Sequence, residues 1–302
     1  MEKLSNVDSS HKSGFVNIVG NPNVGKSTLM NKLVGEKVSI ITNKSQTTRH
    51  RIIGIVNTPD YQIVYSDTPG VLRPNYKLQE SMLSFSLSAL DDADVLLYVT
   101  DVIEKIDKND SFLAKVSKLS MPVLLLINKI DRSNQEELEE LVKQWEVLLP
   151  NAYIYPISAL NNFSIGVVQK KIVELLPLSP PYFDKDALTD KPARFFVAEI
   201  IREKALLIYQ KEIPYSIEVV VEEFKEETNI IRIRALVLVE KESQKGIVVG
   251  HKGESIKKLG TLARKDIELF FDKKIFLDLY VKVEKDWRNR DNLLKAFGYK
   301  LD

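Results

Sequence analysis

The fold of the amino-terminal half of this chain is indicated most clearly by one segment, Gly20-Asn21-Pro22-Asn23-Val24-Gly25-Lys26-Ser27. An apolar run, Phe15–Val19, precedes it, and a helix-like stretch, Lys26–Leu33, follows it. Gly, four residues and Gly-Lys-Ser is the spacing of a P-loop, whose main-chain N–H groups and helix dipole face phosphate. We predict that phosphate contacts Gly20, Asn21, Asn23, Val24, Gly25, Lys26, Ser27 and Thr28.

Apolar runs alternate with amphipathic stretches on both sides of the P-loop. The predicted strands are Phe15–Val19, Ile52–Val56, Tyr61–Tyr65, Val95–Thr100, Val123–Ile127 and Tyr153–Ile157. Runs that are apolar almost throughout are typical of strands buried on both faces of a parallel sheet. Thr58-Pro59-Asp60 predicts a hairpin turn and therefore one antiparallel edge. The pattern indicates a doubly wound α/β fold with a mostly parallel sheet.

A second motif selects the base. Asn128-Lys129-Ile130-Asp131 follows the fifth predicted strand. A carboxylate at Asp131 accepts from both N1–H and the exocyclic amine of guanine, whereas adenine presents the opposite order and leaves the carboxylate unpaired. Asn128 would tie this loop to the P-loop, and the Lys129 stem would cover the base. Ser158-Ala159-Leu160, after the sixth strand, would bring an N–H to the guanine oxygen.

Two further segments predict the Mg²⁺ ligands and the two switch segments. Asp67-Thr68-Pro69-Gly70 follows the third strand, so Asp67 would bind Mg²⁺ and the Gly70 N–H would sense the γ-phosphate. Ser27 would supply a second Mg²⁺ ligand. Thr47-Thr48-Arg49 lies where a first switch belongs, and we expect Thr48 rather than Thr47 to complete the magnesium shell. The predicted switch residues are Thr47, Thr48, Asp67, Thr68, Pro69 and Gly70.

The carboxy-terminal third has a different order of elements. After three prolines in Leu176–Pro181, the pattern predicts helix, strand, strand, helix, helix and strand. Gly250-His251-Lys252-Gly253 joins the two short central helices, which is typical of a KH domain of the bacterial, type II order; such domains clamp single-stranded nucleic acid. Lysines cluster around this loop. The predicted RNA-binding residues are Ile247, Val248, Gly250, His251, Lys252, Gly253, Lys257 and Lys258.

Composition excludes several alternatives. The formal net charge is +1, so attraction to nucleic acid must come from a local patch rather than from the whole chain. The sequence has no cysteine and three scattered histidines, which excludes disulfides and thiolate zinc sites and suits a reducing compartment. No apolar run is long enough to cross a bilayer.

The five nucleotide motifs resemble those of the translation-factor-related bacterial GTPases. A GTPase domain followed by one KH domain, with Gln46–Arg51, Val281–Val283 and Trp287, resembles the bacterial Era GTPases over nearly the whole chain. The resemblance implies binding near the 3′ end of 16S ribosomal RNA, a role in small-subunit assembly, and cytoplasmic residence with some peripheral association with the inner face of the cell membrane. We expect a monomer that does not act on DNA.

Two residues refine the expected chemistry. Val71 stands where many GTPases have a water-orienting glutamine, so we assign no catalytic base and predict slow intrinsic hydrolysis. Asn23 matches an asparagine that helps related GTPases hold a potassium ion against the phosphates. A role in stabilising the loop turn is an equal alternative for Asn23.

The predicted organisation has five parts: a flexible terminus (1–13), a GTPase domain (14–176), a proline-rich linker (177–192), a KH domain (193–285) and a tail (286–302). The leading hypothesis is a GTP-driven switch that binds RNA. The alternative is a nucleotide-dependent protein-interaction or membrane adaptor whose KH-like domain does not bind RNA.

Overall fold

A six-stranded sheet forms the centre of the first of two structural units. The computed structural model describes residues 10–106 and 110–299. The first unit extends to Ser39 and adds Thr48–Asn75 and Gln79–Asp190, while the second comprises Ile40–Thr47, Tyr76–Leu78 and the chain from Lys191 onward. Two short segments therefore belong to the second unit although they interrupt the sequence of the first.

The sheet of the first unit has the strand order β2-β3-β1-β4-β5-β6. Among the described strands of this sheet, the β2–β3 pair is antiparallel and the other pairs are parallel, which confirms the predicted hairpin edge. The strands are β1 (Lys12–Gly20), β2 (Ile52–Asn57), β3 (Tyr61–Asp67), β4 (Val95–Asp101), β5 (Val123–Asn128) and β6 (Tyr153–Pro156). The helices in this part of the sequence are α1 (Lys26–Val34), α2 (Lys77–Ser88), α3 (Asp110–Val116), α4 (Gln135–Leu148) and α5 (Ile165–Leu175).

The central strands explain why the apolar runs predict this sheet so well. Every residue of β4 and β5 is buried, as expected for parallel strands covered on both faces. Parallel strands place their carboxyl ends along one edge of the sheet, where ligands bind in doubly wound folds. The P-loop and the Asn128–Asp131 motif both follow such strand ends.

The second unit has a three-stranded sheet in the order β7-β8-β9. The first pair is antiparallel and the second is parallel. Its elements are α6 (Ala193–Ile208), α7 (Ile213–Ser216), β7 (Glu218–Glu226), β8 (Ile230–Val239), α8 (Glu242–Val249), α9 (Glu254–Phe271), β9 (Lys274–Val283) and α10 (Asp291–Ala296). Helices α6 and α9 bury Ile201 and Ala263 in a core shared with Val237 of β8. The predicted type II KH order is confirmed.

Both predicted termini need correction. Lys12 and Ser13 belong to β1 rather than to a flexible terminus, and residues 1–9 lie outside the described part. The predicted tail is folded into the second unit: Trp287 is fully buried and its Nε1 donates to Ser216 O at 2.9 Å. Tyr299 is also buried, and its hydroxyl donates to Glu218 Oε2 at 2.9 Å.

The proline-rich linker packs on the first unit as far as Asp190. Ile55 N of β2 donates to Leu188 O at 2.8 Å. The side-chain amide of Gln62 donates to Phe183 O at 2.8 Å, and its oxygen accepts from Tyr182 N at 2.7 Å. Backbone groups of the linker are thus satisfied by the β2–β3 hairpin.

Within residues 10–106 and 110–299, no helix has both the length and the apolar character that a membrane-spanning segment requires.

Candidate functional site

The P-loop connects β1 to α1 and encloses its lysine. Lys26 Nζ donates to Gly20 O at 3.0 Å and to Asn21 O at 2.7 Å, and the side chain is buried. Burial lowers the pKa of Lys26 to about 8, although the negative charges of Asp67 and Glu104 act in the opposite direction. A desolvated cation inside a loop of main-chain N–H groups is suited to phosphate.

Three predicted magnesium ligands lie together. Ser27 Oγ donates to Asp67 Oδ2 at 2.7 Å and lies 2.8 Å from Thr48 Oγ1, which in turn donates to Asp67 Oδ2 at 3.3 Å. Two hydroxyls and one carboxylate are the hard oxygen ligands that Mg²⁺ prefers, with phosphate and water completing its shell. Such a set needs no cluster of acidic or histidine side chains, and the described residues contain no group of three or more.

Asp67 itself supports a cation at this place. The residue is fully buried, and its Oδ1 has no hydrogen-bond partner among the described residues. Burial raises the pKa of Asp67, while Lys26 and the neighbouring hydroxyls oppose that rise. A buried carboxylate oxygen left without a donor is costly unless a cation satisfies it. The site therefore fits Mg²⁺ by its own chemistry.

The structure separates the two switch threonines. Thr47 Oγ1 donates to Lys44 O at 2.6 Å and lies 2.6 Å from Thr42 Oγ1, all within the second unit. Thr48 alone contacts Ser27 and Asp67. The choice of Thr48 over Thr47 agrees with this geometry.

The segment after β3 packs closely on the P-loop. A Cβ on Gly70 would lie 2.7 Å from Pro22 Cα, so no side chain fits there. Val71 N donates to Gly20 O at 3.1 Å. Thr68 Oγ1 donates to Ile18 O at 2.8 Å, and Pro69 O accepts from Ser86 Oγ at 2.8 Å. The two phosphate-facing segments are thereby fixed to each other.

Val71 faces the interior of the first unit. Its side chain is buried in an apolar cluster with Val19 and Leu96. It cannot orient a water molecule, because it has no polar group and because its side chain is buried in this cluster.

Side-chain hydrogen bonds join the three loops at the guanine end of the site. Asn128 Nδ2 donates to Val24 O at 2.8 Å, and Asn128 Oδ1 accepts from Ala159 N at 3.0 Å. Asp131 Oδ1 accepts from Ser158 Oγ at 2.6 Å, which orients the carboxylate. Leu160 is largely exposed.

Sequence reasoning missed Asp101, which positions Lys129. Lys129 Nζ donates to Asp101 Oδ2 at 2.5 Å and to Asn23 O at 2.6 Å. Asp101 ends β4 and is paired in register with Asn128 at the end of β5. The signal available in the sequence is an acidic residue at the carboxyl end of an otherwise apolar strand.

The glycine loop of the second unit joins α8 to α9. A Cβ on Gly250 would lie 2.6 Å from Ser255 Cβ, so this glycine permits the loop to press against the start of α9. Gly253 has φ +81° and nothing within 4 Å of the place a Cβ would take. His251 and Lys252 are exposed. The loop presents bare backbone and the first N–H groups of α9, which is how KH folds approach a nucleic-acid backbone.

Side chains around the loop divide into two groups. Lys257 and Lys258 are exposed and, within the described part of the chain, neither is paired with a carboxylate. Ile247 is half exposed. Val248 was predicted among the RNA-binding residues, but it is fully buried in the core of the unit, so its side chain packs beneath the surface. Successive residues of a helix are rotated by about 100° around its axis, so Ile247 is exposed while its neighbour Val248 faces the core.

Comparisons with known proteins assign both units. Residues 15–129 match the family model described as 50S ribosome-binding GTPase, and residues 212–288 match a KH domain. The chain is 45% identical over 293 residues to GTPase Era of Carboxydothermus hydrogenoformans, covering 96% of this chain and 98% of that protein. It is also 45% identical over 289 residues to GTPase Era of Geotalea daltonii, covering 95% and 97%.

Solved structures agree with the sequence relatives. The fold matches a single-substitution variant of Aquifex aeolicus Era bound to GDP·AlF4⁻ with a TM-score of 0.92 and 39% identity, covering 96% of this chain and all of that chain. It matches Era in complex with MgGDPNP and nucleotides 1506–1542 of 16S ribosomal RNA with the same score, identity and coverage. With its motifs, its two units and these relatives in agreement, the chain belongs to the Era family of GTPases.

Proposed function

We propose that this chain is a GTP-driven switch that binds the 3′ region of 16S ribosomal RNA and assists assembly of the small ribosomal subunit. The activity itself follows from the family: the chain hydrolyses GTP to GDP and phosphate. The observation that carries the RNA part is the open Gly250–Gly253 loop on a KH unit in the same chain as the nucleotide site. A relative of 39% identity has been solved with both MgGDPNP and 16S ribosomal RNA nucleotides.

The nucleotide site would hold Mg²⁺ through Ser27, Thr48 and Asp67. When bound, Mg²⁺ neutralises the negative charge of the phosphates during their transfer. Lys26 adds a second positive charge from within the P-loop, and the Gly70 N–H lies on the segment that packs against Pro22. Asp131, oriented by Ser158, selects guanine.

Slow hydrolysis is part of the proposal. The chain offers no side chain at Val71 that could orient water. A slow step leaves the GTP state long-lived, which suits a timer better than a fast catalyst.

Potassium is proposed as an additional ion beside the phosphates. Asn23 has φ +67° and an exposed side chain, while its carbonyl accepts from Lys129 Nζ. That geometry supports both an ion-binding role and a role in holding the loop turn. Hydrolysis rates in K⁺ and in Na⁺ at equal ionic strength distinguish them: equal rates leave only the structural role.

We also propose an oligomeric state and a cellular location. We propose a cytoplasmic monomer whose destination is the small subunit, with peripheral contact with the inner face of the cell membrane. The resemblance to Era proteins supports these points. Sedimentation of cell lysates into ribosomal, membrane and soluble fractions tests them.

One pair of variants tests the RNA role. Gly253→Asp adds a negative charge where a Cβ has open space, and phosphate should be repelled. Its φ of +81° strains any side chain, although Asp enters the left-handed region more readily than most residues, so a melting temperature is measured beside the RNA affinity. Thr228→Asp adds the same charge in the exposed β7–β8 turn and serves as the matched control. The probe is an RNA of the 3′ end of 16S ribosomal RNA.

We expect Gly253→Asp to lose at least tenfold in RNA affinity and Thr228→Asp to bind like the unmodified chain. Equal affinities for all three proteins would contradict the RNA role of the loop. Such a result would favour the adaptor alternative.

A further inference from the structure

The first switch segment is held by a helix of the second unit. Residues Ile40–Thr47 belong to that unit by their contacts, together with α6. The next residue, Thr48, belongs to the first unit, where its hydroxyl contacts Ser27 and Asp67. At this point the chain passes from the second unit to the first through the Thr47–Thr48 peptide bond.

Arg202 of α6 makes the central contacts with this segment. Its side chain is 1% exposed. Nη1 donates to Gln46 O at 3.3 Å, and Nη2 donates to Thr47 O. A buried guanidinium with donors directed at two consecutive main-chain carbonyls fixes both the position and the plane of those groups.

Glu199 makes this burial possible. Its Oε1 accepts from Arg202 Nε at 2.8 Å and its Oε2 accepts from Arg202 Nη2 at 2.6 Å. Removing a charge of this kind from water is expensive unless a carboxylate and hydrogen bonds compensate it. Arg202 also directs N–H groups to main-chain carbonyls of the switch segment, and not to carbonyls of α6.

Other side chains hold the same segment nearby. Glu203 Oε1 accepts from Ile41 N at 3.1 Å, and Lys44 Nζ donates to Tyr209 O. Tyr76, which also belongs to the second unit, donates its hydroxyl to Gln46 Oε1 at 2.8 Å. The segment is thus held at its beginning, middle and end.

The carbonyl of Thr47 and the N–H of Thr48 form one planar peptide group. An arginine that fixes that carbonyl also limits where the Thr48 hydroxyl can lie. We propose that Arg202 is a positioning residue for the first switch: by holding the peptide before Thr48 it sets the magnesium-dependent preference for GTP over GDP. This inference rests on the proposed function.

Two variants and one matched control test the proposal on the full chain. Arg202→Lys keeps the charge beside Glu199 but loses the planar fork, and Lys44→Met removes a contact that lies outside the core. Arg194→Lys is the control, because Arg194 also lies on α6 and also donates to two consecutive carbonyls, those of Val221 and Glu222, away from the switch. The probes are a non-hydrolysable GTP analogue and GDP, each titrated over a range of Mg²⁺ concentrations.

We expect Arg202→Lys to lose roughly tenfold in affinity for the GTP analogue and to need more Mg²⁺, because charge-assisted hydrogen bonds are lost. GDP affinity should change by less than about twofold, since GDP has no γ-phosphate and its binding does not depend on the Thr48 hydroxyl. Lys44→Met should lower the affinity for the GTP analogue by roughly threefold, and Arg194→Lys should bind both nucleotides like the unmodified chain. Melting temperatures show whether each variant is folded.

A merely structural Arg202 would lower the melting temperature but leave the ratio of analogue to GDP affinity unchanged. That result, in Arg202→Lys or, if this variant does not fold, in Lys44→Met, would overturn the inference. An unmodified chain that binds both nucleotides equally at every Mg²⁺ concentration would overturn the proposed switch itself.

Discussion

The nucleotide site and the glycine loop are built in opposite ways. In the first unit, Lys26, Thr48, Asp67 and Asn128 are buried, and each is hydrogen-bonded to another part of the site. In the second unit, the loop around Lys252 is exposed and relies on bare backbone. A buried, pre-organised site tolerates little change, whereas an exposed one acts through the sum of weak contacts.

Asp131→Asn should disrupt the buried type of site most strongly. An amide there keeps one acceptor oxygen but places a donor opposite the second guanine N–H, so GTP affinity should fall by roughly 10³-fold. Fluorescent-nucleotide titration measures this change. Asp60→Asn, an exposed change in the β2–β3 turn of the same unit, is the control and should bind GTP normally. A loss below tenfold in Asp131→Asn would argue against direct base recognition.

Val71→Gln tests whether burial, and not only residue type, determines slow hydrolysis. The glutamine amide would enter the apolar cluster around Val19 and Leu96, which should cost about 1–3 kcal/mol of unfolding free energy. The hydrolysis rate should not rise, because the side chain at this position lies inside that buried cluster. Denaturant melts and single-turnover assays measure the two effects. A faster rate with unchanged stability would show that the side chain at this position reaches water.

Lys257 and Lys258 test the additive character of the exposed loop. Replacing each with Gln should weaken RNA binding only a few-fold and reduce the slope of log affinity against log salt by about 0.7 per lysine. Lys274→Gln, an exposed position on β9, should leave the slope unchanged. Unchanged slopes in all three variants would mean that these α9 lysines do not contact phosphate.

The lowered pKa of Lys26 predicts proton uptake when nucleotide binds. Without phosphate its pKa is about 8, and phosphate favours the charged form and raises that pKa. Binding should therefore take up little proton at about pH 7, where Lys26 is already charged, and a fraction of a proton at about pH 8.5. Calorimetry in two buffers of different ionisation enthalpy measures the uptake. Uptake that does not increase between these pH values would contradict a neutralised lysine in the loop.

The fold was largely predictable because burial leaves a periodic signal. β4 and β5 are apolar at almost every position and lie at the centre of the sheet. The ligand-facing motifs were equally accessible, since Lys26, Asp67 and Asn128 follow strand ends at characteristic spacing.

What escaped prediction has no periodic signal. The linker is held by backbone groups that bond to Gln62 and Ile55, and the tail by Trp287 and Tyr299, each a single buried residue among polar neighbours. Arg202 looks like any charged residue on an amphipathic helix, yet it is buried. Such contacts between residues distant in sequence depend on which segments meet, and the spacing of residues in a single sequence does not encode that.

The proposed switch requires that GTP binding and RNA binding are coupled in one chain. The most direct test is the affinity for the 3′ end of 16S ribosomal RNA, measured with a non-hydrolysable GTP analogue and with GDP at saturating Mg²⁺. We expect RNA to bind about tenfold more tightly in the analogue state, which is within the usual range of coupling between two sites. Equal affinity in the two nucleotide states would contradict the switch, although the chain would remain a GTPase.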